Sequence, residues 1–331
     1  MNRSTLRLPR RHWLALAATA SLGALAGPAL AQDFPQRPVR IITPFPVGSG
    51  PEGVARLLAD KLSRAWGKAV LVENRPGGNG FVAIDAFKRG ATDGHDLIQL
   101  DNVHLTAYPH LMKKLPYDPA KDFEPVLPLF KAYFMVTTAK TSPYRDFKDL
   151  LADAKARPGQ LNYGSWSVGN PVHLGSARLA AATGVEMTHV IFKETTQLYT
   201  SVANGDLSFA LGSSGSTGPL YRAGKIKYLA VAAPKRLAAF PDVPTLAEAG
   251  GPKDLEVSGW TTLALPPGLP RPLVERLRRD LQKALAEPDM QEKFTAFGYE
   301  AFPLQGSFTQ YVNDESRVMA DVIRATRSSL D

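Results

Sequence analysis

Residues 39–52 read Val39-Arg40-Ile41-Ile42-Thr43-Pro44-Phe45-Pro46-Val47-Gly48-Ser49-Gly50-Pro51-Glu52. A β-branched run, Val39 to Ile42, passes through a proline- and glycine-rich loop into an amphipathic stretch, Val54 to Ala65. Its apolar positions Val54, Leu57, Leu58, Leu62 and Ala65 fall at helical spacing and stop at Gly67. Such a loop aims backbone N–H groups and the positive end of a helix dipole at one point, the natural seat of a carboxylate or phosphate. Pro51 has no N–H, so the donors expected here are Gly48, Ser49, Gly50 and Glu52, with Phe45 as an apolar wall. The Glu52 carboxylate reads first as a capping group and second as a ligand contact. The loop points to binding more than to catalysis.

The same grammar repeats along the chain. Strand candidates at Val70 to Glu73, Leu97 to Leu100, Tyr133 to Thr137, Leu161 to Ser165, Thr188 to Phe192, Leu207 to Leu211 and Ile226 to Ala232 alternate with helical periods. That is the pattern of an α/β fold on mainly parallel sheets. Two stretches, Phe130 to Thr138 and Leu255 to Pro267, read as crossovers between lobes. A chain that leaves lobe one near 134 and returns near 256 makes a discontinuous first lobe, 32–134 plus 256–331, and a second lobe, 135–255. A clamshell with a two-strand hinge follows, its ligand in the cleft between the lobes. Amphipathic helices at Leu273 to Leu285 and Phe308 to Arg324 are expected to pack back on lobe one.

In α/β sheets, ligands lie beyond the carboxyl ends of the strands. Besides the opening loop, that rule selects Asn74 to Gly80, Asp101 to Thr106 with His104, Ser165 to Pro171, Lys193 to Thr196, and Gly212 to Ser216. Ser165, Ser167, Gly169 and Asn170 are expected donors from lobe two, Thr195 and Ser214 add hydroxyls, and Trp166 is either a stacking wall or packing beneath its loop. Glu194 reads first as a solvated surface group and second as one that meets a cationic group of the solute or pairs with Lys193, and Arg75 reads as an anchor between strand and helix. His173 and His189 read as structural.

Composition narrows the class. There is no cysteine, which removes disulfides, thiolate catalysis, thiolate metal sites and lipid anchoring through cysteine. The histidines show no metal-ligand spacing and no nucleophile elbow accompanies them, so neither a metal, a cofactor nor a catalytic group is expected, and an exported α/β hydrolase is the weak rival. Residues 1–31 carry Arg3, Arg7, Arg10 and Arg11, an apolar run from Trp13 to Ala26, and Ala29-Leu30-Ala31, the three parts of a cleaved export signal. Arg10-Arg11 is a weak twin-arginine cue, and Sec export is the default. Losing those four arginines takes the formal charge from +8 to +4, and the remaining excess forms no basic stripe for nucleic acid. The expectation is a periplasmic, monomeric protein that is not lipid-anchored.

Several motifs recur in order: Pro44-Phe45-Pro46 with the glycine loop; Val72-Glu73-Asn74-Arg75-Pro76-Gly77; Asp93-Gly94; Lys114-Leu115-Pro116-Tyr117-Asp118-Pro119 with Asp122-Phe123; Pro158-Gly159 with Leu161-Asn162-Tyr163; His173-Leu174; His189-Val190; Arg236; and Pro241-Asp242-Val243-Pro244-Thr245. On these the chain, from about Phe34 to its end, resembles the Bug (TctC-type) receptors of tripartite tricarboxylate transport systems. The resemblance implies a type II periplasmic-binding-protein clamshell that closes on a small solute, commonly a mono- or dicarboxylate, aromatic acid or amino acid, and delivers it to membrane permease subunits. A receptor feeding a sensor kinase is the alternative use of the same fold. This chain departs from the family pattern at Val47 to Glu52, at Trp166-Ser167 and at Glu194-Thr195, all in the expected cleft, which points to a retuned site for one carboxylate rather than several.

Overall fold

The computed structural model describes residues 34–90, 92–192, 194–302, 306–326 and 328–330; the export segment, its cleavage point and Lys193 lie outside them. In chain order the first elements are β1 (Val39–Thr43), α1 (Gly50–Trp66), β2 (Val70–Asn74), α2 (Phe81–Lys88), β3 (Asp96–Asp101), α3 (Asn102–Thr106), α4 (Tyr108–Leu111), β4 (Glu124–Tyr133) and β5 (Met135–Ala139). There follow α5 (Phe147–Ala156), β6 (Asn162–Ser165), α6 (Pro171–Thr183), β7 (Thr188–Ile191), α7 (Thr195–Asn204), β8 (Ala210–Gly212), α8 (Ser214–Arg222) and β9 (Ile226–Val231). The chain finishes with β10 (Ser258–Leu265), α9 (Arg271–Leu285), α10 (Pro288–Phe297), β11 (Tyr299–Glu300) and α11 (Phe308–Thr326).

These elements form two α/β lobes. The first sheet has the order β11-β4-β10-β3-β1-β2, with β1 parallel to both β2 and β3 and with β10 antiparallel between β3 and β4. In the second, β5 lies antiparallel between β8 and β9, and the parallel pair β6–β7 joins it through a bridge from Tyr163 to Phe209. The strands that run against the grain have a common cause. Strands that feed helices point their carboxyl ends at the lobe boundary, whereas β5 and β10 have just crossed that boundary and run away from it.

Phe134 stands between the lobes. It donates its N–H to the Val257 carbonyl at 3.1 Å and accepts from Ala232 N–H at 2.9 Å, while Val257 N–H reaches the Ala232 carbonyl at 3.0 Å. The single strand expected over Tyr133 to Thr137 is therefore two, broken where the chain changes sheet. In lobe one, β1 is covered on both faces, Ile41 packing with Leu58 and Leu277, and Ile42 with Ile84, Trp260 and Phe308. Burial on both sides explains why this strand reads as a continuous apolar run rather than an alternation. No helix of the described residues is long and apolar enough to cross a membrane.

Candidate ligand-binding cleft

The opening loop closes largely on itself. Gly48 takes a left-handed φ of 81°, and its N–H donates to Glu52 Oε2 at 3.1 Å. Ser49 N–H reaches the Pro46 carbonyl at 3.2 Å, and Gly53 N–H the Ser49 carbonyl at 3.0 Å. Arg56 Nε donates to Glu52 Oε1 at 2.9 Å. Glu52, its side chain only 4% exposed, is thus a loop clasp paired with Arg56 one helical turn away. Phe45 is partly buried, its carbonyl held by Asn74 Nδ2 at 2.9 Å. Arg75 pairs with Glu73, as an anchor would. The N–H groups of Gly50 and Glu52 stand in the first turn of α1, where no helical carbonyl can receive them. The Ser49 hydroxyl is buried without a hydrogen-bond partner among the described residues.

The lobe-two loop before α6 is similarly self-supporting. Asn170 caps α6, its Oδ1 accepting from Val172 N–H at 2.8 Å and His173 N–H at 3.0 Å, while its Nδ2 holds the Ser167 carbonyl. Gly169 N–H donates to His173 Nδ1 at 3.1 Å. Ser165 is fully buried; its hydroxyl donates to the Ser167 carbonyl at 3.0 Å and stands 2.7 Å from His189 Nε2. With its one proton committed to Ser167, the Ser165 oxygen accepts from His189, the reverse of what a general base needs to activate a serine. Burial pushes His173 down to about 4, helped by His189, whose ring lies 4.3 Å away and which burial also lowers. Trp166 is partly buried and packs against both core clusters of lobe two.

His104, on the loop after β3, is 3% exposed and braces the framework. Its Nδ1 accepts the Asp101 N–H at 3.1 Å and its Nε2 faces the Asn79 carbonyl at 3.0 Å, an arrangement that assigns the proton to Nε2. Burial pushes its pKa down to about 4, so the ring is neutral. Glu194 is exposed at the start of α7 and Thr195, partly buried, is that helix's first residue. Ser214 Oγ donates across the lobe boundary to the Phe297 carbonyl at the end of α10.

The groups that meet between the lobes were in part not foreseen. A Cβ on Gly215 would lie 2.3 Å from the Tyr299 hydroxyl, and one on Gly50 would lie 2.1 Å from that hydroxyl and 3.3 Å from Gly215 Cα. The bare first turns of α1 and α8 therefore close around Tyr299, which is stacked on Phe130 at 4.2 Å and faces the Ser213 hydroxyl. On the other flank, Tyr108 faces Ser167, Gly169 abuts Leu111, and Leu174 of α6 packs among Val103, Tyr108, Leu111 and Ile323. Burial raises the Tyr108 and Tyr299 hydroxyls, and the charge of Asp101, at the carboxyl end of β3, adds to both. Its own carboxyl is pushed up to about 7 by burial, against the pull of the Asn102 and Val103 N–H groups and with a further push from Glu315. Among the described residues no group of three or more His, Cys, Asp or Glu could hold a metal.

Two α/β lobes in contact on both flanks of a cleft, with helix starts from each directed into it, define a solute-binding receptor of the periplasmic type. The model of the tripartite tricarboxylate transporter family receptor matches residues 54–327, and the chain belongs to that family. It is 33% identical to a UPF0065 protein in the gbd 5' region of Cupriavidus necator, over 89% of this chain and 90% of that one. Among solved structures it is similar to R. palustris Rpa4515 with adipate (TM-score 0.83, 29% identity, 90% of this chain and 99% of that one). MatC of Rhodopseudomonas palustris with bound malate is similar as well (TM-score 0.78, 30% identity, 88% and 100%).

Proposed function

We propose that the protein is exported, loses residues 1–31 through the Sec route, and works in the periplasm as a monomeric receptor. It captures a small carboxylate-bearing solute between lobes 32–134 plus 256–331 and 135–255, for delivery to permease subunits in the membrane. The hinge lies at Phe134 and Val257. The observation that carries this reading is the meeting of the first turns of α1 and α8 at Gly50 and Gly215, which brings helix N-termini of both lobes to one place. Relatives solved with adipate and with malate support the choice of a carboxylate.

The chemistry required is binding alone. Ser49, Gly50 and the first turns of α7 and α8 offer donors, Phe45 lines the wall, and Ser167 and Ser213 oppose the two tyrosines. Glu52, Ser165, Gly169, Asn170 and His104 hold those groups in place. A solute that touches both lobes favours the closed state by the difference in its contacts between open and closed forms. In a thermal-shift screen of mono- and dicarboxylates, adipate and malate included, at least one acid is expected to raise the melting temperature by several degrees. Turnover of simple esters with no carboxylate-induced shift would contradict the reading.

A further inference from the structure

The lobe-two loop that meets lobe one is held by an imidazole that can act only without a charge. Gly169 stands so close to Leu111 of α4 that a Cβ on it would lie 2.1 Å from the Leu111 side chain. Its N–H donates to His173 Nδ1 at 3.1 Å. A backbone N–H can only donate, so that nitrogen carries no proton and the hydrogen of the neutral ring sits on Nε2. Ionised, His173 would turn a second N–H towards Gly169, and a buried donor would lose its acceptor. The same charge would lie against His189, whose ring is 4.3 Å away and whose Nε2 already serves Ser165. No opposite charge offsets it. Of the elements packed against α6 and β7, β6 contributes Tyr163, stacked on His189 and kept protonated by burial, and β8 has no titratable side chain. On α11, Glu315 is turned to Asn102 and Trp260, and Asp314 and Asp321 pair with Arg317 and Arg324 of the same helix. Arg178, further along α6, donates to the Glu256 carbonyl, and Glu194 is exposed. With the lobes in contact, burial, helped by His189, pushes His173 down to about 4.

We propose that His173 is a positioning residue for the lobe-two side of the cleft that works only as a neutral ring, so that the receptor releases its solute in acid. This rests on the receptor reading above and adds a regulation to it. When the lobes part, the loop leaves Leu111 and water reaches the ring. The proton then binds more readily, and closing on a solute has to expel it. His173→Asn tests this, because it offers an acceptor where Nδ1 stands and cannot ionise. Calorimetry with adipate, malate, succinate and glutarate at pH 7.5 and pH 4.5 compares the two proteins. At pH 7.5 the variant is expected to bind within about threefold of the parent, and at pH 4.5 the parent is expected to weaken relative to the variant by a further factor of about five or more. Ionisation of the solute, of Asp101 and of His104 is common to both proteins and cancels in the ratio to first order. NMR of the solute-free parent gives a second reading that needs no variant: the Gly169 amide resonance should move with the titration of the His173 ring. A ratio that does not change with pH, or a Gly169 amide that ignores the ring, would overturn the proposal and leave the receptor reading intact. Failure of all four acids to bind at pH 7.5 would overturn the receptor reading, and the release step with it.

Discussion

Gly215 is where a single methyl group separates folding from closure. Its neighbour is the Tyr299 hydroxyl, which belongs to the other lobe, so under the proposed clamshell motion Gly215→Ala clashes only when the lobes meet. Alanine is the better helix former by about 1 kcal/mol, so the ligand-free melting temperature is expected to hold or rise slightly. Affinity for the solute should fall at least tenfold, about 1.4 kcal/mol, and Tyr299→Phe should restore part of it by removing the nearest atom. Calorimetry on the two single variants and the double variant reads this directly. Equal affinities throughout would mean that α1 and α8 do not approach in the bound form.

His104 carries the clearest pH signature. Its folded pKa of about 4 lies below the ordinary value of 6.5, so its contribution to stability is complete above pH 6.5 and is lost as the pH falls towards 4. The shift corresponds to about 3 kcal/mol at most. His104→Gln should therefore be less stable than the parent at pH 7.5, with the deficit shrinking between pH 6.5 and 4 in urea titrations. Asp101, raised instead of lowered, acts in the opposite sense, but it is present in both proteins and drops out of the difference to first order. A deficit that stays constant over this range would contradict the assignment of a neutral buried ring.

At the scale of elements, α1 is tied to α10 by Lys61, whose side chain is 1% exposed and meets Glu287 at 2.7 Å and also Asp289. Its burial lowers the ammonium pKa, but the two carboxylates more than offset this and the net shift is upward. Removing the carboxylates strands a buried charge, a loss of about 3–5 kcal/mol for the Glu287→Ala, Asp289→Ala pair. Lys61→Met leaves two half-exposed carboxylates that water can solvate, and should cost less than half as much in denaturant titrations. The reverse order would mean that the lysine reaches water in solution.

The loops of the cleft were legible because strand, glycine loop and helix start form a local pattern that a sequence spells out. What that pattern leaves out is which N–H groups are already taken. Glu52 reaching back to Gly48, Asn170 capping α6 and His104 bracing Asn79 are side-chain choices within a loop; of these only the capping role of Glu52 is readable from the sequence, from its place at the helix start. Tyr299 was harder still. It arrives on a two-residue strand at the far end of the chain, placed by pairing with Ala132 of β4. No periodicity in so short a segment announces it.

At the scale of the molecule, the two crossings explain both the strand directions and the means of closing. Phe134 and Val257 share hydrogen bonds with Ala232, and in the proposed receptor this is the point about which the lobes would turn as bodies with their sheets intact. The seam of Leu174 against Val103, Tyr108 and Leu111 on one flank and the Gly50–Gly215 contact on the other are then the surfaces that part on opening. Export and permease delivery, as proposed, require nothing further of the fold.

The absence of cysteine makes the decisive measurement clean. Val47 on the rim of lobe one and Ile191 on lobe two are 73% and 57% exposed, so Val47→Cys and Ile191→Cys carry spin labels without disturbing the core. The distance between the labels, measured with and without the acid that raises the melting temperature, reports closure itself. The receptor account predicts a broad, longer distribution without solute that shortens and narrows on saturation. Tight binding with an unchanged distance would contradict it.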